Sequence, residues 1–128
     1  FSLEGTSCIC KVVNVYDGDS CKVVFPMKET MYRWNVRLTG YDTPEMRPSK
    51  SKENRDEEIV AAKLARDYLK GQVMNEGQLV YIKCGGFDKY GRLLGTLFKD
   101  ESDLISVNDM MISEGHGYVY DGGTKQTF

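Results

Sequence analysis

The chain has one histidine, His116, and no CxxC pair. Zinc is usually held by clustered cysteine and histidine at short spacing, so the sequence argues against a zinc centre. Four cysteines are present, but Cys8 and Cys10 lie two apart on one strand face, and Cys21 and Cys84 stand alone. They are expected to be free thiols, buried or partly buried, in a reducing compartment. A basic excess is also missing. Seventeen Lys and Arg stand against nineteen Asp and Glu, a net charge of −2. That balance argues against coating nucleic acid through a broad basic face, and leaves room for a local basic site or one where a metal ion supplies the positive charge. No apolar run approaches the roughly 18–20 residues that span a bilayer. The opening "FSLEGTSCIC" has no basic-then-apolar leader. A chain that starts at Phe1 need not be complete; the free thiols and the missing leader make a cytoplasmic location the expectation. No repeat or linker divides the chain, so 1–128 reads as one domain, with 1–7 and 121–128 as flexible ends.

What is present is a run of short strands. "CICKVVNVY" (8–16) is β-branched and loosely alternating, Asp17-Gly18-Asp19 is a hairpin signal, and "SCKVVF" (20–25) continues as a strand that Pro26 ends. "TMYRWNVRLTG" (30–40) makes a third strand, completing an antiparallel meander. The polar segment 47–58 reads as an exposed loop entering the one long helix, with Asn54 as cap and Glu57 as its box partner. Val60, Ala61, Leu64, Ala65, Tyr68 and Leu69 recur at helical spacing as the inward face, and Gly71 stands where a terminating glycine belongs. "QLVYIKC" (78–84) and "LLGTLF" (93–98) are the fourth and fifth strands, joined by the loop "GGFDKYGR". "SVNDMMISEG" (106–115) reads as a short helix capped by Ser106, with Val107, Met110 and Met111 inward. The order β-β-β-α-β-β-α is the plan of an OB-fold: an α+β, mainly β class, a five-stranded Greek-key barrel with one long and one short helix.

Charged residues gather near the strand ends: Asp19, Arg37, Asp42-Thr43-Pro44-Glu45, and Arg92. A barrel can bring several strand ends to one mouth. Two aspartates with the Thr43 carbonyl would offer hard oxygen ligands to a divalent cation. Two arginines beside them suit a phosphate, because each guanidinium presents parallel donors. Glu45 could orient or deprotonate a water. Each cluster also has a plainer reading. Asp17-Gly18-Asp19 can be only a turn, Asp42 can serve its own turn, and Arg37 can be a cross-strand ion-pair partner. His116 is expected to be solvent-exposed, and Lys50, Lys52 and Arg55 to be a solvated loop.

Together, "VVNVYDGDS", "VRLTGYDTPE", "DKYGR" (88–92) and "VNDMMISEGHGYVY", in that order, resemble the staphylococcal nuclease (thermonuclease) family over about Ile9 to Tyr120. Ser20 stands where the family usually has Thr, and the chain lacks the long C-terminal helix of the bacterial secreted enzyme. The resemblance implies an OB-fold barrel and calcium-dependent cleavage of DNA and RNA, leaving 3′-phosphates; the protein is expected to act as a monomer, with no membrane partner. It implies that Asp19, Asp42 and the Thr43 carbonyl bind Ca2+. Arg37 and Arg92 would grip the scissile phosphate, Glu45 would act on the water, and Lys89 and Tyr90 would contact a neighbouring phosphate. Tyr118 and Tyr120 align ambiguously and receive no role. The competing reading is a binding module, since related domains in Tudor-containing proteins keep the barrel and lose the catalytic groups. All five catalytic and acidic positions are present here, which favours an enzyme.

Overall fold

The structure is a computed structural model and describes residues 1–120; the expected flexible end at 121–128 lies outside the described residues. Strands β1 (Ser7–Asp17), β2 (Ser20–Met27) and β3 (Thr30–Leu38) form the expected meander. Strands β5 (Val80–Phe87) and β6 (Leu93–Phe98) complete it into a closed barrel in the order β1-β2-β3-β6-β5. The β3–β6 pair is parallel and β1–β5 closes the ring. This is the five-stranded OB-like barrel anticipated from the sequence. Inward positions alternate along each strand, so Val12, Val23, Phe25, Val36, Leu38, Ile82, Leu93 and Leu97 meet at the barrel axis. A two-residue strand β4 (Tyr41–Asp42) leaves the barrel after β3 and pairs with β7 (Tyr118–Val119) near the end of the described chain.

Pro26 does not end β2. It pairs opposite Met31, beyond Val24, the last β2 residue with a β1 partner. There the strand is an edge on one side, where a residue without an N–H is tolerated. Gly85, Gly86 and Phe87 belong to β5 rather than to the following loop, with a register shift between Cys84 and Phe87. Leu3 is buried in the core.

Helix α1 (Arg55–Val73) buries Glu58, Ala62, Ala65, Leu69 and Val73. The expected stripe was rotated: Val60 and Leu64 are 58% and 57% exposed. Size explains the difference. Where the helix runs close to β1 the inward residues are the alanines Ala62 and Ala65, and Leu69 and Val73 fill the core nearer its C-terminal end. Asn54 takes the N-cap position without a side-chain cap bond, and Gly71 lies inside the helix. The last carbonyls are met by side chains instead, Asn75 donating to Gly71 O at 3.0 Å and Gln78 to Gln72 O at 2.7 Å. Helix α2 (Val107–Ser113) is capped by Ser106 as expected, its hydroxyl accepting from Asp109 N. Met111 is fully buried and Met110 only partly. Asn108 instead turns inward, accepting from Leu97 N at 3.0 Å and donating to Thr39 O at 2.8 Å.

Candidate active site

The β1–β2 turn is built as its sequence suggests. The Asp17 carboxylate accepts from Asp19 N at 3.2 Å and from the Ser20 hydroxyl at 2.7 Å. Gly18 then lies against two other segments. A Cβ there would stand 2.7 Å from Thr43 Cγ2 and 2.8 Å from Ala65 Cβ. The fully buried Tyr41 donates its hydroxyl to Gly18 O at 2.7 Å. The turn bearing Asp19 is thereby fastened to the segment bearing Asp42, Thr43 and Glu45. The segment is a turn, as its plain reading has it, and it also lines the cleft shared with Asp42, Thr43 and Glu45.

Arg37 lies between the two acidic segments. Its Nη1 donates to Leu38 O at 2.5 Å and Tyr41 O at 3.0 Å, and approaches Asp19 Oδ2 at 3.2 Å. Its Nη2 meets Asp42 Oδ1 at 2.6 Å. Arg37 is therefore ion-paired, to Asp19 in the β1–β2 turn and to Asp42 on β4, and all three line the same cleft. The other oxygen of Asp42, Oδ2, is buried with no hydrogen-bond partner among the described residues. Burial, proton sharing with Asp17 and the nearby negative charges push Asp19 up to about 8, against the pull of Arg37. Burial alone would raise Asp17 too, but the hydrogen bonds from Asp19 and Ser20 outweigh it and hold that carboxyl below its usual range.

Glu45 stands exposed at the rim. Its backbone N–H donates to Glu58 Oε2 at 2.8 Å, and the buried Glu58 carboxylate also ion-pairs with Lys52. Lys52 is thus not simply solvated. The "DKYGR" turn is organised by Asp88, which accepts from Tyr90 N at 2.9 Å and Arg92 N at 2.8 Å, with Gly91 at φ +82. Asp88 Oδ2 also meets Arg92 Nε at 2.8 Å. Burial opposes ionisation of Asp88, but these bonds prevail and lower its pKa.

Two clefts meet along Arg37 and Arg92. One, of about 540 Å3, is walled by Asp17, Asp19, Asp42, Thr43 and Glu45. The other, of about 520 Å3, is walled by Lys89, Tyr90, Leu94 and Tyr120. Lys89 Nζ lies 5.2 Å from the Tyr90 ring centroid and Arg92 Cζ lies 5.5 Å from it. All eight residues singled out by sequence therefore reach one of the two clefts. Tyr118 and Tyr120 separate: Tyr118 donates to Thr43 O at 3.3 Å, and Tyr120 lines the aromatic cleft. His116 is half-buried and stacks on Tyr68 at 4.7 Å rather than facing solvent. Glu58 also went unnoticed in the sequence. Its signal was an acid in phase with Ala62, Ala65 and Leu69.

The donor set suits a hard cation. Two carboxylates and a carbonyl face one cleft, and one carboxylate oxygen is buried without a partner among the described residues. Among the described residues no group of three His, Cys, Asp or Glu side chains is placed to hold a metal ion by itself. The thiols do not compete: all four cysteines are free, and burial raises Cys10 to about 12 and Cys84 to about 11.

The family model for staphylococcal nuclease homologues matches residues 35–127. The chain belongs to the staphylococcal nuclease family. That match begins within β3, so the first hairpin and Asp19 precede it; the barrel closes around them as one unit. No curated protein matches the sequence. Membership in the family points to a nuclease, a hydrolase of phosphodiester bonds acting on nucleic acid. No helix among the described residues is long and apolar enough to cross a membrane.

Proposed function

We propose that the protein is a calcium-dependent nuclease that hydrolyses DNA and RNA to 3′-phosphate ends, acting as a monomer. The observation that carries this reading is the shared wall of Arg37 and Arg92 between an acidic and an aromatic cleft. Asp19, Asp42 and the Thr43 carbonyl would hold Ca2+, which supplies positive charge beside the phosphate under attack. The Thr43 carbonyl has a second lone pair, so its bond from Tyr118 does not compete with that role.

The chain's own groups do the rest. Arg37 is fixed by two carboxylates and two carbonyls before substrate arrives, so its donors need little reorganisation. Arg92 is anchored through Nε alone, which leaves its terminal nitrogens to meet phosphate oxygens. Donors aimed at equatorial oxygens stabilise the transition state more than the ground state. Glu45, at the rim of the same cleft, orients or deprotonates the attacking water. Tyr90 and Tyr120 offer ring faces to a base, and Lys89 a charge to an adjacent phosphate. The 3′-phosphate outcome and the breadth of substrate rest on the family resemblance.

The test is cleavage of end-labelled single-stranded DNA, duplex DNA and RNA, each with calcium and with excess chelator. The expected result is cleavage of all three with calcium, loss in chelator, and product ends that phosphatase treatment shifts. Undiminished cleavage in chelator would remove the metal from the mechanism. Binding without cleavage in calcium would leave the protein a binding module.

A further inference from the structure

The nuclease reading accounts for one side of Arg92. On its other side lies a third cavity, of about 210 Å3, lined by Tyr16, Ser20, Asn35 and Arg92 with the backs of Cys21 and Val36. The Tyr16 ring is 42% exposed, and its hydroxyl donates to Asn35 Oδ1 at 3.2 Å. The ring is therefore held in place at the edge of the cavity while presenting surface to solvent.

This cavity opens onto the outer face of the β1–β2–β3 meander, and the register of that sheet sets what the face carries. Ser20 pairs with Arg37, Lys22 with Asn35, and Val24 with Arg33. Asn14 pairs with Lys22 and Lys11 with Val24. Three outward rows thus run away from the site: Arg37 first, then Asn35 and Lys22, then Arg33 and Lys11. Each step along β3 is two residues, about 7 Å. Beyond Asp17 at the end of β1 and Arg37, which is ion-paired to Asp19 and Asp42, the charged residues of the three strands are Lys11, Lys22 and Arg33, all basic. In a chain of net charge −2, such a one-sided face is a local basic track that the overall balance conceals.

We propose that this face is a second substrate subsite, binding the single strand on the side of the scissile phosphate opposite the Tyr90–Tyr120 cleft. Tyr16 stacks the first base beyond the cut, Asn35 hydrogen-bonds its edge or sugar, and Lys22, Arg33 and Lys11 meet the following phosphates. The occupant is single-stranded because a base must leave its stack to reach the Tyr16 ring. The inference rests on the nuclease reading, being continuous with its arginines.

The experiment measures affinity in chelator, by fluorescence anisotropy, for a thymidine dinucleotide and for an oligothymidylate several nucleotides long, across a salt series. Wild type is compared with Lys22→Gln/Arg33→Gln, Tyr16→Ala and Tyr16→Phe, each checked by a thermal melt. Each phosphate neutralised on a single strand contributes about 0.7 to the salt slope, so the double variant should lower the long strand's slope by about 1.4. Its loss of affinity should be larger for the long strand than for the dinucleotide. Tyr16→Ala should weaken the long strand about five-fold or more, and Tyr16→Phe should recover most of that loss, since the stacking face is kept. An unchanged slope, or equal losses on both lengths, overturns the track. A wild type that cleaves the long strand once calcium is added, while all three variants match its affinity in chelator, overturns the track alone; a wild type that does not bind in chelator and does not cleave when calcium is added overturns the nuclease reading with it.

Discussion

Replacing Glu58 by glutamine should slow cleavage through Glu45, whose backbone N–H it holds. The Glu58 carboxylate is buried in the first turn of α1, with one oxygen 2.8 Å from Glu45 N and the other ion-paired to Lys52. Hydrogen bonds to a charged group contribute about 1.5–3 kcal/mol. Glutamine keeps one acceptor and presents an amide N–H2 where the second oxygen stood. It can hold Glu45 N or face Lys52, but not both. Lys52 is 27% exposed, so its ammonium can turn to water, and the stability loss should stay near the lower end of that range. The kinetic loss has a ceiling. A group acting only by positioning Glu45 cannot cost more than Glu45 itself, and a general base typically contributes about 10²–10⁴-fold. The assay is single-turnover cleavage of a short DNA at saturating calcium for Glu58→Gln, Glu45→Gln and the double variant. Glu58→Gln should lower the maximal rate at least several-fold with little change in KM. In the Glu45→Gln background the same change should cost almost nothing, because its means of action is already gone. Losses that multiply in the double variant would show that Glu58 acts by another route. If Glu45→Gln itself turns over like wild type, the base assignment fails instead.

Gly18→Ala should destabilise by about 1–3 kcal/mol in chemical denaturation, because the new methyl meets Thr43 Cγ2 and Ala65 Cβ, neither the end of a flexible chain; wild-type stability would mean that the turn, Thr43 and α1 are not packed as described. The arginine-to-lysine variants should separate. Arg92→Lys should keep the wild-type melting temperature and lose roughly 10²–10³ in rate, about 3–4 kcal/mol, as one preorganised donor set is lost. Arg37→Lys should lose comparable rate and also melt lower, since an ammonium cannot meet two carbonyls and two carboxylates at once. If Arg92→Lys cleaves within a few-fold of wild type, Arg92 does not hold the phosphate.

The barrel was legible because alternation fixes which strand residues face inward, and the candidate site was legible because carboxylates and arginines stand at strand ends. Other features depended on distances that pattern does not carry. Val60 and Leu64 are more apolar than Ala62, yet the close approach of α1 to β1 selects the smaller residue. Pro26 marks a strand end only where both neighbours need its N–H, and here one is missing. Asp17 gave a turn signal that was correct but concealed its place in the acidic cleft. Tyr118 lies on β7, which pairs with β4 and brings its hydroxyl to Thr43 O, while Tyr120 stands beyond that strand in the aromatic cleft. Pairing across so great a sequence distance leaves no local trace.

The site's assembly is inseparable from completion of the fold. Its parts come from residues 17–19, 37, 42–45, 58 and 92, and the bonds joining them span long stretches of chain. Tyr41 reaches back 23 residues to Gly18, Glu45 N reaches Glu58 across 13, and the Tyr118 hydroxyl reaches Thr43 O across 75. Such contacts form only when the segments have closed on one another, and they are also the first lost when an edge element opens locally. The short β4–β7 pair is such an element. It contains two backbone-paired positions, and it carries Asp42 on one side and Tyr118 on the other. Opening it would release the Thr43 carbonyl from Tyr118 and loosen Asp42 while leaving the five barrel strands intact. The geometry proposed for cation and phosphate therefore depends on the least extensively paired strands among the described residues. The bonds from Tyr41 and Arg37 matter for this reason: they tie that part to the β1–β2 turn and to β3, which are anchored in the barrel.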